Sequence, residues 1–150
     1  MNEKIVIFYH VYQGRGWKKI VRDQLDLIRS SGLYSVCERI FIGLSGDRPL
    51  PLDSKITVTQ NKNRTDERDT LLALHRFAAM NPGYFVLYLH TKGTGNNSRF
   101  NGDWRRYMEY FTVEKWKKCV SLLGEFDCCG VMWNPDTFLG YHPHFSGNFW

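Results

Sequence analysis

No stretch of this chain approaches the roughly 18 to 20 uninterrupted apolar residues that a membrane-spanning helix requires. Its first residues, Met1-Asn2-Glu3-Lys4-Ile5, lead straight into a strand-like run without a signal-peptide pattern. A soluble, cytoplasmic protein is expected. Cysteine is scarce: Cys37, Cys119, Cys128 and Cys129 are the full set, and they have neither the spacing of a zinc site nor a recognisable Cys and His arrangement. They are expected to be buried, reduced thiols, with Cys128 and Cys129 pointing to opposite faces of a strand. Ser146-Gly147 stands in no Gly-x-Ser-x-Gly elbow, and Gly14-Arg15-Gly16 lacks the third glycine of a dinucleotide fingerprint. Neither a Walker A nor a kinase signature occurs. These absences argue against hydrolase, dinucleotide-dependent and P-loop chemistry.

What is present is enough for one core and too little for two ordinary domains: 150 residues, 43% of them hydrophobic. The formal charge of +5 favours an anionic partner, which a sugar nucleotide, a nucleic acid or an acidic membrane surface would each satisfy.

Periodicity supplies the architecture. Lys4 to Val11 is apolar, β-branched and aromatic, short enough to be a central strand buried on both faces. After Gly14 and Gly16, the residues Trp17, Ile20, Val21, Gln24, Leu27 and Ile28 recur at helical spacing until Ser31-Gly32. Arg39 to Leu44 predicts a second strand, closed by the Ser45 to Pro49 turn, and Lys55 to Thr59 a third. Thr65 can cap a helix whose first turn carries Asp66 and Glu67 and whose body ends at Asn81-Pro82-Gly83. Tyr84 to Leu89 is the strongest strand pattern and runs into the polar, glycine-rich loop from His90 to Ser98. Helices are predicted over 103–111 and 112–125, the latter capped by Thr112, and a last strand over Cys128 to Trp133. Strands alternating with helices predict an α/β fold, mainly a parallel sheet with helices on both faces, Rossmann-like, in a single domain.

Such sheets bind ligands at the carboxyl ends of their strands. The loops after Val11, Thr59, Leu89 and Trp133 therefore carry the candidates: Tyr9 and His10, then Thr65, Asp66 and Arg68, then His90, Lys92 and Gly93, then Trp133 and Asp136. Lys92 on a glycine-bordered loop suits a phosphate, because glycine lets the backbone approach while the ammonium offers a point charge and three donors. His90 would face the same side.

The run Tyr88-Leu89-His90-Thr91-Lys92-Gly93, followed by Trp104-Arg105-Arg106-Tyr107-Met108 and by His144-Phe145-Ser146-Gly147-Asn148-Phe149-Trp150, resembles the glycosyltransferase-like proteins of polysaccharide and rhamnan synthesis clusters and of large DNA viruses. The resemblance implies a GT-A-like fold with a nucleoside diphosphate sugar lying across the ends of the first strands. In most such enzymes the strand matching Tyr84 to Leu89 ends in an Asp-x-Asp that holds a divalent metal; here it ends in His90-Thr91-Lys92. A cation can neutralise a leaving diphosphate without metal, so Lys92, with His90 and an arginine from Arg99, Arg105 or Arg106, is expected to replace it. No manganese or magnesium is then required, unless Asp136 or a residue beyond Trp150 supplies a ligand. The resemblance also places Thr65, Asp66 and Arg68 at the nucleoside, with Tyr9 and His10 bordering the base. Asp136 is the candidate base for an acceptor hydroxyl, and Trp133, His144, Asn148 and Trp150 are candidate acceptor contacts.

The aromatic ending at Trp150 gives the expectation that the natural chain continues, with the acceptor half incomplete. Two other readings stay open. One is a non-catalytic nucleotide- or glycan-binding module, a degenerate transferase. The other is a nucleic-acid-binding domain, prompted by the aromatics interleaved with basic residues at 104–107 and 116–118.

Overall fold

A computed structural model describes residues 3–50, 53–61, 66–94, 99–135, 142–147 and 149–150. The first strand, β1 (Lys4–Tyr12), is buried from Ile5 through Val11. Successive side chains on a strand alternate faces, so this one segment feeds two cores. Ile5, Ile7, Tyr9 and Val11 join one of them, Val6 and Phe8 the other. Gly16, at φ 74, then starts the helix α1 (Trp17–Ser30). Its buried residues Trp17, Ile20, Val21, Gln24, Leu25 and Ile28 recur every three or four positions, one helical face. Gly32, at φ 80, ends it in the left-handed conformation that glycine adopts without a steric cost and leads into a single turn, α2 (Leu33–Val36).

The sheet continues through β2 (Cys37–Ser45) and β3 (Ile56–Gln60), with no helix among the described residues between them, then α3 (Arg68–Met80) and β4 (Tyr84–His90). The order is β3-β2-β1-β4 and every pairing is parallel. The face carrying Ile7 and Tyr9 is covered by α1 and by the helical segment after residue 99, through Met108, Val113 and Trp116. The opposite face is covered by α3 through Leu74, Leu71 and Phe77, with Phe8 stacked on Phe41 at 4.8 Å. A parallel sheet with helices on both faces is therefore the observed architecture, as the alternation predicts. No helix among the described residues is long and apolar enough to cross a membrane.

The last third departs from expectation. The helix α4 (Arg99–Glu109) passes into a π-helical turn over Tyr110–Glu114 before α5 (Trp116–Leu122). Thr112, expected to cap a new helix, instead donates its hydroxyl to the Met108 carbonyl at 2.8 Å inside a continuing helical path. The apolar run 128–133 does not join the parallel sheet. Met132 has φ 49, and only β5 (Trp133–Asn134) is extended, pairing antiparallel with β6 (His144–Phe145). The free edge of β4 instead receives the end of the chain: Tyr88 N donates to Trp150 O at 2.7 Å and Trp150 N to Tyr88 O at 3.3 Å. The thiols are correspondingly not all buried, Cys37 being enclosed and Cys128 exposed.

Candidate functional site

The strand order creates a switch point. From β1 the chain steps outward to β2 and β3, then crosses by α3 to β4 on the other flank of β1, so the loops after β1 and β4 diverge. His10 and His90 are direct register partners at that point. Both face α3.

His10 is buried, and its Nδ1 lies 3.1 Å from Thr70 Oγ1 and 3.2 Å from Asn61 Nδ2. Asn61 also donates to Ser45 Oγ at 3.2 Å, which closes a polar cluster between β1, β2 and α3. Gly43 makes this approach feasible, because a Cβ there would collide with the Thr70 hydroxyl. Burial lowers the His10 pKa from 6.5 to about 4 against the opposing charge of Glu67, with the adjacent His90 lowering it further. His10 is therefore a neutral hydrogen-bonding residue at pH 7.

His90 is also held. Its Nε2 is 3.0 Å from the Gly147 carbonyl and its ring meets Phe149 edge-on at 5.1 Å. Burial lowers its pKa, and Lys92 adds to that shift while the Gly147 bond opposes it. Beside it, the Tyr88 hydroxyl donates to Glu67 Oε2, and the Trp150 ring lies 5.7 Å from the Tyr88 ring. Gly147, at φ 82, leaves no room for a Cβ against Trp104 and Met108 of α4.

The β4 loop is tied down from the other face. Thr91 Oγ1 accepts from Tyr12 N at 2.9 Å and donates to Tyr12 O at 3.2 Å, locking the two divergent loops together. Gly14 packs against the Thr94 carbonyl, where a Cβ would come within 2.6 Å. Arg105 Nη1 donates to the Lys92 carbonyl at 2.8 Å, and Gly93 turns the chain at φ 93. Arg105 Nε lies 3.4 Å and Arg106 Nη1 3.1 Å from buried Glu109, whose pKa is raised by burial against both guanidinium charges. Gln24 completes this support, donating to His90 O at 3.2 Å and accepting from the Tyr9 hydroxyl at 2.6 Å. The result is a half-buried lysine on a braced glycine turn, near two imidazoles whose pKa values burial lowers. Such a turn can meet a phosphate with one full charge and backbone donors.

The remaining sequence candidates divide. Tyr9 lies wholly inside the core, so its ring presents no face to a base. Asp66 Oδ1 accepts from Arg68 N at 3.0 Å at the start of α3, and Arg68 is an exposed partner of Asp66 at 3.8 Å. Arg99 pairs with Asp103 on the surface at 3.8 Å. Trp133 and His144 stand on the separate β5–β6 ladder, Trp133 against Phe145 at 5.0 Å and His144 Nδ1 2.8 Å from the His142 carbonyl. Thr65, Asp136 and Asn148 lie outside the described residues. The structure thus brings together His10, His90, Lys92 and Gly93, with Trp150 on the edge of β4 against Tyr88. Sequence reasoning missed Asn61, Thr70 and Glu109 as supports. Gln24 carried a signal, a polar residue on the apolar stripe of α1.

A cleft of about 380 Å³ lies elsewhere, along the first half of β4, lined by Ile5, Phe85, Leu87, Trp116, Val120 and Trp150 among others. Its walls are mainly apolar, unlike the charged and polar strand ends at the switch point. Residues 8–150 match the family described as Domain of unknown function (DUF8361). No curated protein and no solved structure matches the chain.

Proposed function

The chain belongs to the DUF8361 family, whose description assigns no activity, and from the site itself we propose a glycosyltransferase domain that moves a sugar from a nucleoside diphosphate donor to a glycan hydroxyl. One observation carries the reading: Lys92 and Gly93 form a braced turn at the switch point of a parallel sheet, where a diphosphate would lie. Lys92 would neutralise the leaving diphosphate in place of a metal. Arg105 contributes by holding the Lys92 carbonyl, and its own guanidinium is engaged with Glu109. Trp150, whose ring lies 5.7 Å from that of Tyr88 two residues before His90, offers an aromatic surface at the edge of β4.

A thermal-shift and calorimetric screen of UDP, GDP, CMP and dTDP, each with and without manganese, tests this. A ligand that binds only the native state stabilises it, by about 2.7 kcal/mol at a hundredfold excess over Kd. The expected result is stabilisation by one diphosphate without metal. No response to any of the four would end the proposal, and a response only with manganese would remove Lys92 from the leaving-group role.

A second reading, a non-catalytic nucleotide- or glycan-binding module, is favoured by the way His10 and His90 spend their ring nitrogens on internal partners. The two separate on donor turnover. A transferase hydrolyses its donor slowly without acceptor and loses this on Asp136→Asn, whereas a module binds saturably and turns nothing over.

A further inference from the structure

Three of the four cysteines line the apolar cleft beside β4, away from the strand ends: Cys119 from α5, and Cys128 and Cys129 from the segment opposite. Cys37 is buried elsewhere, and burial pushes its thiol up. Cys119 and Cys129 are each partly accessible, and their thiols interact directly. Cys119 Sγ also lies 3.2 Å from the Phe111 carbonyl, a second acceptor for its one proton. The pair is chemically unequal. The contact from Cys119 lowers the Cys129 thiol from 9.0 to about 7, while the same contact and burial push Cys119 up. The contact thus favours the thiolate on Cys129 and the proton on Cys119. Thiolate is the nucleophile in exchange, and a second thiol at contact distance resolves the product.

We propose that Cys119 and Cys129 form a dithiol modification site that reacts with low-molecular-weight disulfides and closes a reversible disulfide across the cleft mouth. In the first step Cys129 Sγ attacks one sulfur of the small disulfide, forming a mixed disulfide and expelling one thiolate, which takes up a proton. In the second, Cys119 loses its proton to solvent and attacks Cys129 Sγ, expelling the second small thiol. The protein loses two hydrogen atoms and two electrons, and the small disulfide gains them as two thiols. The closed bond joins α5 to the segment entering the β5–β6 ladder, enclosing a short loop. The inference stands independently of the transferase reading, since it uses none of the strand-end residues.

The test incubates the folded full chain with oxidised glutathione and maps products by peptide mass spectrometry under non-reducing conditions. The expected product is a Cys119–Cys129 linkage, with the melting temperature raised by roughly 5 °C from the shortened unfolded chain. Cys119→Ser should instead stop at a glutathione adduct on Cys129, and Cys129→Ser should react at least tenfold more slowly and form no bridge. Cys128→Ser and Cys37→Ser should both behave as the parent. A bridge that maps to Cys128, equal reaction rates in the Cys119 and Cys129 variants, or no reaction of the folded chain would each overturn the assignment.

Discussion

Lys92 and His10 end neighbouring segments of one site and contribute through opposite charge states. Lys92 holds its place by its backbone, since the Arg105 bond goes to the carbonyl, so truncating the side chain leaves the turn intact. Lys92→Ala should therefore weaken diphosphate binding by about 1 to 3 kcal/mol, the range for a charged hydrogen bond, or roughly 5- to 150-fold. Its melting temperature should stay within about 2 °C of the parent. Calorimetry on the folded variant checks both, and unchanged affinity would remove Lys92 from the site. His10 acts through being uncharged. Its pKa falls from 6.5 to about 4 on folding, so the unfolded chain binds the proton more readily in that window. The stability this residue supplies is complete above pH 6.5 and disappears as the pH falls toward 4, a loss of up to roughly 3 kcal/mol. His90, lowered mainly by burial, pulls in the same direction. Urea unfolding across pH 4 to 7 should show that decline in the parent and a shallower one in His10→Gln. Parallel curves for the two proteins would show that His10 titrates alike in both states.

At the scale of elements, the turn after β6 is where three parts of the chain meet. Gly147 brings its backbone against Trp104 and Met108 of α4 and offers its carbonyl to His90 of β4. A Cβ there faces a double penalty, a left-handed φ of 82 and a position 2.6 Å from Trp104 Nε1. Gly147→Ala should lower the unfolding free energy by about 2 to 4 kcal/mol, summing strain and overpacking. A urea midpoint equal to the parent's would show that the turn can shift off α4 freely. The sequence made β1, α1, β2 and β4 legible because their apolar residues repeat at the period of the element and local glycines end them. It misassigned 128–133 because an apolar run names no partner: the edge of β4 pairs with Trp150, and Trp133 pairs with Phe145. The π-helical turn was equally silent, since Tyr110 to Glu114 has no composition that distinguishes it from ordinary helix. For the candidate site, the strand-to-loop junction indicates where His90, Lys92 and Gly93 lie, at and just after the end of β4. Tyr9 was misplaced as a base contact because strand alternation alone does not say which face the ligand sees; it points to the α1 face with Gln24, and His10 to the α3 face. Asn61 and Thr70 were invisible, being partners only through the crossover of α3.

Across the whole molecule, β4 separates two chemistries. Its beginning, through Leu87, walls the cysteine-bearing cleft, and its end delivers His90 and Lys92 to the switch point. Leu87 and the end of β4 at His90 are three residues apart, about 10 Å along the strand, and Lys92 lies in the turn beyond. Effects at sites separated by more than about 10 Å normally add, within roughly 0.5 kcal/mol. One residue offers a route for coupling: Trp150 lines the cleft and also packs its ring, tilted, against Tyr88 two residues before His90. Its backbone, however, is pinned to Tyr88 by two hydrogen bonds, at 2.7 and 3.3 Å, and its ring is confined by the α3-side core. Those two backbone bonds involve neither cysteine, so closing Cys119 onto Cys129 is expected to leave both in place. Oxidised and reduced protein should accordingly bind the same diphosphate with affinities within about twofold. Calorimetry on the glutathione-oxidised chain and its reduced counterpart decides the matter. A larger change in affinity would mean that Trp150 transmits the closure, and that β4 carries a signal between its two ends instead of keeping them apart.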